Sequence, residues 1–205
     1  GRNMLNAIAA FGRGKKTATA GTRIRALVPG DKHGYTYITF FRYTVSTTAH
    51  TLTLMRGQSR GKATAAVAEG GTSLVVDTAL KDGAGNAIAA NDVVAYETVN
   101  NGWVLDTVSG WDATSKTITL TTGPASGSGG IAVGAKVVAF GVAGDAGHAD
   151  YQFASGTSTT ASFPAVANAG PLCKGAAIND PVVFDSDNAT AAGTLEGISA
   201  EYANR

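Results

Sequence analysis

Short runs of β-branched, aromatic and leucine residues, separated by Gly, Asn and Asp, recur along the chain. The clearest runs lie between residues 63 and 141, where one pattern returns without a gap 44 positions later. Thr72–Asp77 matches Lys116–Thr121, and Asp92–Tyr96 matches Lys136–Phe140. Runs of this length, with turn residues between them, are typical of strands in a small barrel or sandwich. We therefore predict an all-β fold built on a small β-barrel or sandwich core.

Further strands are predicted on both sides of this repeat. Tyr35–Tyr43 alternates but carries aromatic residues on both faces, so we expect it to be buried on two sides or to lie against a partner. Thr47–Arg56 alternates again. Asn179–Phe184 returns, 88 positions later, to the turn and strand that start at Asn91, and Gly193–Ser199 is the final predicted strand.

Two segments have few large apolar residues. The first, residues 1–34, contains one weak helical pattern, Asn3–Phe11, too short to be stable alone, followed by a basic stretch rich in Gly. The second, residues 143–178, is mostly Gly, Ala, Ser and Thr and predicts an extended segment. We therefore predict four regions: a basic N-terminal arm at 1–34, a core at 35–142, an extended segment at 143–178, and C-terminal strands at 179–205 that return to the core.

Composition supports a narrow core. Hydrophobic residues make up 44% of the 205 residues, but many are Ala, and there are 27 Gly. A chain with so few large core side chains is expected to gain stability from partners. We see no apolar run long enough to span a membrane and no secretory signal in the chain as given. Cys173 is the single cysteine, which excludes an internal disulfide.

Charge is divided unevenly along the chain. Residues 1–62 hold eleven basic residues against one acid, a surplus of +10, while the rest holds five basic and fourteen acidic residues, a surplus of −9. This division predicts that the first third meets a negatively charged partner. We expect the partner contacts to come from basic and aromatic side chains of that third: Arg2, Phe11, Arg13, Lys15, Lys16, Arg23, Arg25, Tyr35 and Tyr37.

Catalytic and metal-binding patterns are weak. The three histidines lie far apart, and His148, with Asp145 and Asp150, sits in a Gly/Ala-rich stretch that is better explained as a solvated turn. Gly57–Lys62 lacks the spacing and the hydroxyl of a phosphate-binding loop. Asp185 and Asp187 supply too few ligands for calcium. We therefore expect no catalytic residues, no metal and no cofactor.

Several phrases of the sequence resemble structural proteins of tailed bacteriophages, above all head decoration (cement) proteins. They are Tyr43–Thr53, Ile88–Val94, Gly134–Gly141 and Asn179–Glu196. The resemblance covers most of the chain from about Tyr43 and is one of texture and short phrases, without an invariant chemical motif. It implies a β-rich virion protein on the capsid surface, often a trimer or dimer, that binds the major capsid protein and braces the head.

Two alternatives belong to other functional classes. A nucleic-acid-binding virion protein would use the basic N-terminal segment on the packaged genome. A carbohydrate-binding β module of a phage fibre would stack sugars on Tyr96, Trp103 and Trp111.

Overall fold

The computed structural model describes residues 7–10, 15–18, 25–45, 50–142, 149–155, 160–163, 173–186 and 193–203. Over these ranges the chain forms strands and turns and contains no helix, which confirms the predicted all-β class. None of the described segments is therefore a helix long and apolar enough to cross a membrane. The strands are β1 (Ala7–Ala10), β2 (Lys15–Ala18), β3 (Arg25–Val28), β4 (Tyr35–Val45), β5 (His50–Arg56), β6 (Ser59–Lys62), β7 (Ser73–Val75), β8 (Val93–Thr98), β9 (Gly102–Asp112), β10 (Thr117–Leu120), β11 (Lys136–Gly141), β12 (Ala149–Ser155), β13 (Thr160–Phe163), β14 (Cys173–Lys174), β15 (Val182–Ser186) and β16 (Gly193–Ala203).

The chain divides into two compact units. Residues 57–148 form one unit, which we call the barrel unit, and residues 1–56 with 149–205 form the other, the sandwich unit. The pairing places β4 and β5 with strands of the C-terminal part, whereas the sequence prediction grouped them with residues 57–142. Sequence patterns predict where a strand lies but not its partner, because a partner can be far away in the chain.

The barrel unit contains one curled sheet with the strand order β6-β11-β8-β9-β10-β7. Its two edge strands meet near Ala63 and Val76, which form an isolated bridge. On either side of this bridge the Asp77 N–H donates to the Lys62 carbonyl at 3.0 Å and the Thr64 N–H to the Val75 carbonyl at 2.9 Å. These bonds close the sheet into a barrel, which satisfies backbone groups that an open edge would leave unpaired.

The sequence repeat becomes an approximate twofold symmetry of this barrel. Matching strands pair with each other, β7 with β10 and β8 with β11, both antiparallel. Leu74 and Ile118, which occupy the same position in the two copies, are register partners. Hydrogen bonds repeat as well: the Val76 N–H donates to the Lys116 carbonyl at 3.0 Å, and 44 positions later the Leu120 N–H donates to the Thr72 carbonyl at 2.8 Å. The two copies therefore interleave in one sheet, with β11 beside β8 and β10 beside β7.

The core of the barrel unit lies inside this sheet. It consists of Ala63, Val67, Leu74, Val76, Leu80, Ile88, Val94, Tyr96, Val108, Ile118, Leu120, Ile131, Val137 and Ala139. Most of these residues are small or medium in size, as the narrow core predicted from the composition requires. Trp111 packs against this core while remaining partly exposed.

A turn found in the barrel unit returns in the sandwich unit. Asn91 and Asn179 both have left-handed backbones, with φ of 77° and 67°, and each precedes an Asp. The Asp92 N–H donates to the Ala89 carbonyl, and the Asp180 N–H donates to the Ala177 carbonyl, both at 3.1 Å. The turn predicted to recur 88 positions later is therefore the same structural device, although β15 pairs with β3 and β5 and not with barrel strands.

The sandwich unit has two sheets. One has the order β1-β16-β4-β13, with β2 also on β16 and β14 also on β4, and the other has the order β12-β5-β15-β3. Their shared core contains Ala26, Val28, Ile38, Phe41, Tyr43, Leu52, Leu54, Val182, Phe184, Leu195, Ile198 and Ala200. Phe41 of the first sheet meets Phe184 of the second edge to face, with ring centroids 5.0 Å apart. Such an aromatic contact between sheets is typical of a β-sandwich core.

Strand β4 departs from the simple alternation predicted for it. Ile38 and Phe41, three positions apart, both belong to the sandwich core, while Phe40 between them is 37% exposed. The register between β4 and β16 shifts in this region, around Ser199. A β-bulge changes which face the following side chains occupy, so residues of both parities reach one core.

The N-terminal segment differs from its prediction. The predicted helix Asn3–Phe11 is wrong where the structure describes it, because Ala7–Ala10 is strand β1, paired with Ser199–Tyr202. A sheet edge satisfies the backbone of this short segment, which could not hold a helix by itself. Residues 1–6 and 143–148 lie outside the described ranges. The described parts of the predicted extended segment form β12, β13 and β14 in the two sheets.

The barrel unit is inserted at one point of the sandwich unit. Strand β5 ends at Arg56, just before the barrel unit, and β12 begins at Ala149, just after it. Met55 and Ala149 are register partners in the β5–β12 pair. The chain therefore leaves and re-enters the sandwich unit at adjacent positions of two paired strands.

Candidate interaction surface

Four of the predicted partner-binding residues, Arg2, Phe11, Arg13 and Arg23, lie outside the described residues. Lys15 and Lys16 belong to β2, where their register partners are Glu196 and Leu195 of β16. Strands β1 and β2 both pair with β16, the last strand of the chain. The basic N-terminal segment is therefore laid along the edge of a sheet where it is described.

Arg25 has a role inside the sandwich unit. Its Nε donates to Asp185 Oδ1 at 3.0 Å across the β3–β15 pair, and the Asp185 side chain is fully buried. A buried carboxylate without a cation beside it would be strongly unfavourable. The ion pair explains why a basic residue stands in this strand, and a partner contact of Arg25 stays a prediction.

Tyr35 and Tyr37 lie at the start of β4 and are half-buried. Their register partners on β16 are Ala203 and Glu201. Phe41 and Tyr43 on the same strand are buried core residues. The aromatic run therefore serves mainly the core of the sandwich unit, and Tyr35 and Tyr37 keep only part of their surface for a partner.

A second group of basic residues comes together on the barrel unit. Arg60 and Lys62 are exposed on β6, while Gly61 between them approaches the carboxylate of Asp77. Lys136 on β11 is the register partner of Lys62. Directly opposite residues of an antiparallel pair project from the same face of the sheet. Arg60, Lys62 and Lys136 therefore share the outer face of two neighbouring strands.

Two further lysines border this face. The Lys81 N–H donates to Ser59 Oγ at 2.8 Å, which holds Lys81 beside the start of β6. Lys116 Nζ donates to the carbonyl of Asp77 at 3.2 Å, and the Lys62 N–H donates to Asp77 Oδ1 at 2.8 Å. We call the five residues Arg60, Lys62, Lys81, Lys116 and Lys136 the basic surface.

Asp77 ties the basic surface together. Besides the Lys62 N–H, the Thr78 hydroxyl donates to its Oδ1 at 3.0 Å. The backbone hydrogen bond from Lys62 is the main cause that lowers the pKa of Asp77 below its usual range. The carboxylate is thus kept ionised and fixed to the backbone of β6.

The basic surface could not be identified from the linear pattern of charge. Lys81, Lys116 and Lys136 belong to the acidic part of the chain, and strand pairing alone brings them beside Arg60 and Lys62. Acidic and basic side chains also differ in burial. Asp92, Asp106, Asp180 and Asp185 are buried, whereas no Lys or Arg is buried among the side chains that the structure describes. The surface of the described residues is therefore more basic than their formal charges indicate.

The aromatic residues considered for sugar stacking are mostly inaccessible. Tyr96 is fully buried and its hydroxyl donates to Asp106 Oδ2 at 3.1 Å. Trp103 is 8% exposed. Trp111 is the remaining partly exposed ring of the three. A flat platform of these three rings for a sugar is therefore not formed.

The described residues contain no group of three or more His, Cys, Asp or Glu side chains that could hold a metal ion. An open cleft of about 450 Å³ lies beside Glu69, Gly70 and the segment 122–126. The carboxylate of Glu69 accepts a hydrogen bond from the Gly129 N–H at 2.8 Å, so it supports the neighbouring Gly-rich loop.

Comparison with known proteins gives little further information. No family model matches the chain, and no curated protein matches it. Among solved structures it is similar to VP17, a capsid protein of bacteriophage P23-77, with 11% sequence identity and coverage of 97% of this chain and 100% of that chain. The TM-score of 0.25 is below the level that establishes a shared fold.

Proposed function

We propose that this chain is a structural protein of a tailed-bacteriophage virion, which binds the major-capsid lattice on the capsid surface and stabilises the head as a decoration protein. The proposal starts from the sequence phrases that resemble such proteins. Ile88–Val94 and Gly134–Gly141 supply the turns and central strands of the barrel unit, and Asn179–Glu196 supplies β15 and the start of β16. The resemblance therefore concerns the structural framework of both units.

The observation that carries the proposal is the position of the basic N-terminal strands. In the sheets of the described residues, β1 and β2 lie on β16 at one side, and β3 is the last strand of the other sheet. An edge strand presents backbone donors and acceptors to which a neighbouring chain can add. Lys15 and Lys16 would add electrostatic attraction to an acidic capsid surface or to the acidic part of another copy. A dimer or trimer on the lattice fits this arrangement.

Cosedimentation tests the proposal. The chain is coexpressed with the major capsid protein of its phage, and assembled shells are separated from free subunits on a density gradient. We expect the chain to sediment with the shells and to raise the temperature at which they open. A chain that stays with the free protein, at any ratio of the two proteins, would contradict the proposal.

A charge variant locates the contact. Lys15→Glu with Lys16→Glu should weaken cosedimentation, because it turns attraction to an acidic surface into repulsion. The control with the same change of charge is Lys32→Glu with Arg56→Glu, at two exposed positions of the sandwich unit. Equal loss of binding in both variants would indicate a general charge effect in place of an edge-strand contact.

A further inference from the structure

The barrel unit gathers its cations in one place. Residues 57–148 contain five basic residues against eight acidic ones, and all five basic residues belong to the basic surface. Two of the acids, Asp92 and Asp106, are buried. A unit that is acidic in total thus presents a concentrated positive surface, and such a surface attracts anions over distances of about one Debye length, about 10 Å.

One pair of lysines on this surface repels. Lys62 and Lys136 are directly opposite in the β6–β11 pair, and like charges in this position destabilise a sheet. An anion between the two ammonium groups would remove the repulsion. Arg60, two positions before Lys62 on the same face, adds a third cation at about 7 Å along the strand, from the rise of 3.4 Å per residue.

The residue types favour phosphate over a protein surface. Four of the five residues are lysines, and lysine is depleted in protein–protein interfaces relative to the rest of the surface. Lysine and arginine are the usual contacts to the phosphates of nucleic acids. The described exposed large hydrophobic residues of the barrel unit, Val99 and Val133, lie in loops and not on β6 or β11.

Nearby carboxylates reduce the positive charge without abolishing it. Asp77 lies within the basic surface and is bound to the Lys62 N–H. Asp82 follows Lys81 and accepts hydrogen bonds from the Ala84 and Asn86 N–H groups of its own turn, both at 2.9 Å. Glu97 on β8 follows Tyr96, the register partner of Val137, so it lies beside Lys136 on the neighbouring strand. Five cations against these three carboxylates leave a surplus of two.

We propose that the basic surface of the barrel unit binds the phosphate backbone of a nucleic acid, without reading its sequence. Arg60, Lys62 and Lys136 would contact phosphates directly, and Lys81 and Lys116 would extend the positive surface on either side. This inference does not depend on capsid binding, since it rests on residues of the barrel unit and not on the N-terminal strands.

The test measures binding of a short fluorescein-labelled DNA duplex of arbitrary sequence by fluorescence anisotropy at several NaCl concentrations. The variant carries Arg60→Gln, Lys62→Gln and Lys136→Gln in the full chain. Each phosphate contact contributes about −0.9 to the slope of log K against log salt, so the loss of three contacts should flatten the slope by about 2.7.

The control carries Lys32→Gln, Arg42→Gln and Arg56→Gln, which remove the same charge from exposed positions of the sandwich unit. It should keep the wild-type slope. Equal flattening in both variants would overturn the site, because it would show a response to net charge alone. The proposal also fails if the wild-type chain ignores DNA, and retention on immobilised polyglutamate would then indicate an acidic protein partner.

Single substitutions keep the test valid if the triple variant unfolds. Lys62→Gln and Lys136→Gln should each flatten the salt slope by about 0.9. Unchanged slopes in both would overturn the proposal. Capsid cosedimentation of the same variants is a separate readout, so loss of DNA binding with retained capsid binding distinguishes this inference from the proposed function.

Discussion

Asp106 is the best position at which to test the energetics of the barrel unit. Its carboxylate is buried, at 6% exposure, and accepts four hydrogen bonds. Oδ1 receives the Thr107 N–H at 2.7 Å and the Thr122 N–H at 3.2 Å. Oδ2 receives the Gly123 N–H at 2.8 Å and the Tyr96 hydroxyl at 3.1 Å. The side chain therefore ties β8, β9 and the loop after β10 to one another. We expect Asp106→Asn to destabilise the barrel unit.

The magnitude follows from the geometry of the amide. An asparagine must place an NH₂ group at one of the two oxygen positions. At the Oδ2 position the Tyr96 hydroxyl can reverse and accept, but the Gly123 N–H then faces a donor. At the Oδ1 position two backbone N–H groups, of Thr107 and Thr122, lose their acceptor. The cheaper choice leaves one buried N–H unpaired and weakens charge-assisted bonds, a cost of about 2–4 kcal/mol.

Urea unfolding followed by tryptophan fluorescence is the suitable assay, because both tryptophans, Trp103 and Trp111, belong to the barrel unit. With a slope of about 2 kcal/mol per M urea, in the middle of the range for small proteins, the midpoint should fall by about 1–2 M. Asp112→Asn is the control, because that exposed carboxylate also accepts backbone N–H groups, those of Thr114 and Ser115, and its midpoint should match the wild type. An unchanged midpoint for Asp106→Asn would refute the reasoning.

Three further predictions concern the same unit and the same assay. Gly123→Ala should destabilise the barrel unit strongly, since φ is +78° and the new methyl group would collide with the Gly71 carbonyl. Its control, Gly127→Ala, has φ +82° but open space, and should cost only about 1 kcal/mol. Similar losses of stability in the two variants would contradict the predicted collision. Burial, with Asp106 nearby, raises the pKa of Tyr96. The contribution of Tyr96 to stability is therefore full below about pH 10, the pKa of an unfolded tyrosine, and is lost as pH rises above it. Tyr96→Phe should lessen this loss, measured as urea midpoints from pH 8 to 11. Leu74→Ala and Ile118→Ala, at equivalent fully buried positions, should each cost about 2–5 kcal/mol of stability. The double variant should cost less than the sum of the two, because the two side chains share one contact. Strictly additive costs would argue against the pairing.

The sequence predicted the barrel unit well because its information is local and stated twice. The 44-residue interval predicted the strands at Thr72–Asp77 and Lys116–Thr121, and their structural counterparts β7 and β10 pair in register. The interval does not predict that the strands of the two copies lie next to each other in the sheet. Interleaving depends on which strands bury their apolar faces together, and that is a property of the folded sheet.

The sandwich unit was less predictable because its pairs are distant. Strand β4 pairs with β16 across most of the chain length, and no periodicity in Tyr35–Val45 specifies Gly193–Ala203 as its partner. The bulge near Ser199 then changes which side chains of β4 are buried. The basic surface was missed for the same reason, because Lys62 and Lys136 become neighbours only through pairing.

The register between Met55 and Ala149 has a practical consequence for protein engineering. The whole barrel unit occupies the place of the loop in a β-hairpin made by β5 and β12. Replacing residues 56–148 with a two-residue turn such as Asn-Gly would connect Met55 to its register partner Ala149 directly. The excised version offers a route to a minimal scaffold, and the same junction offers a site for grafting foreign modules.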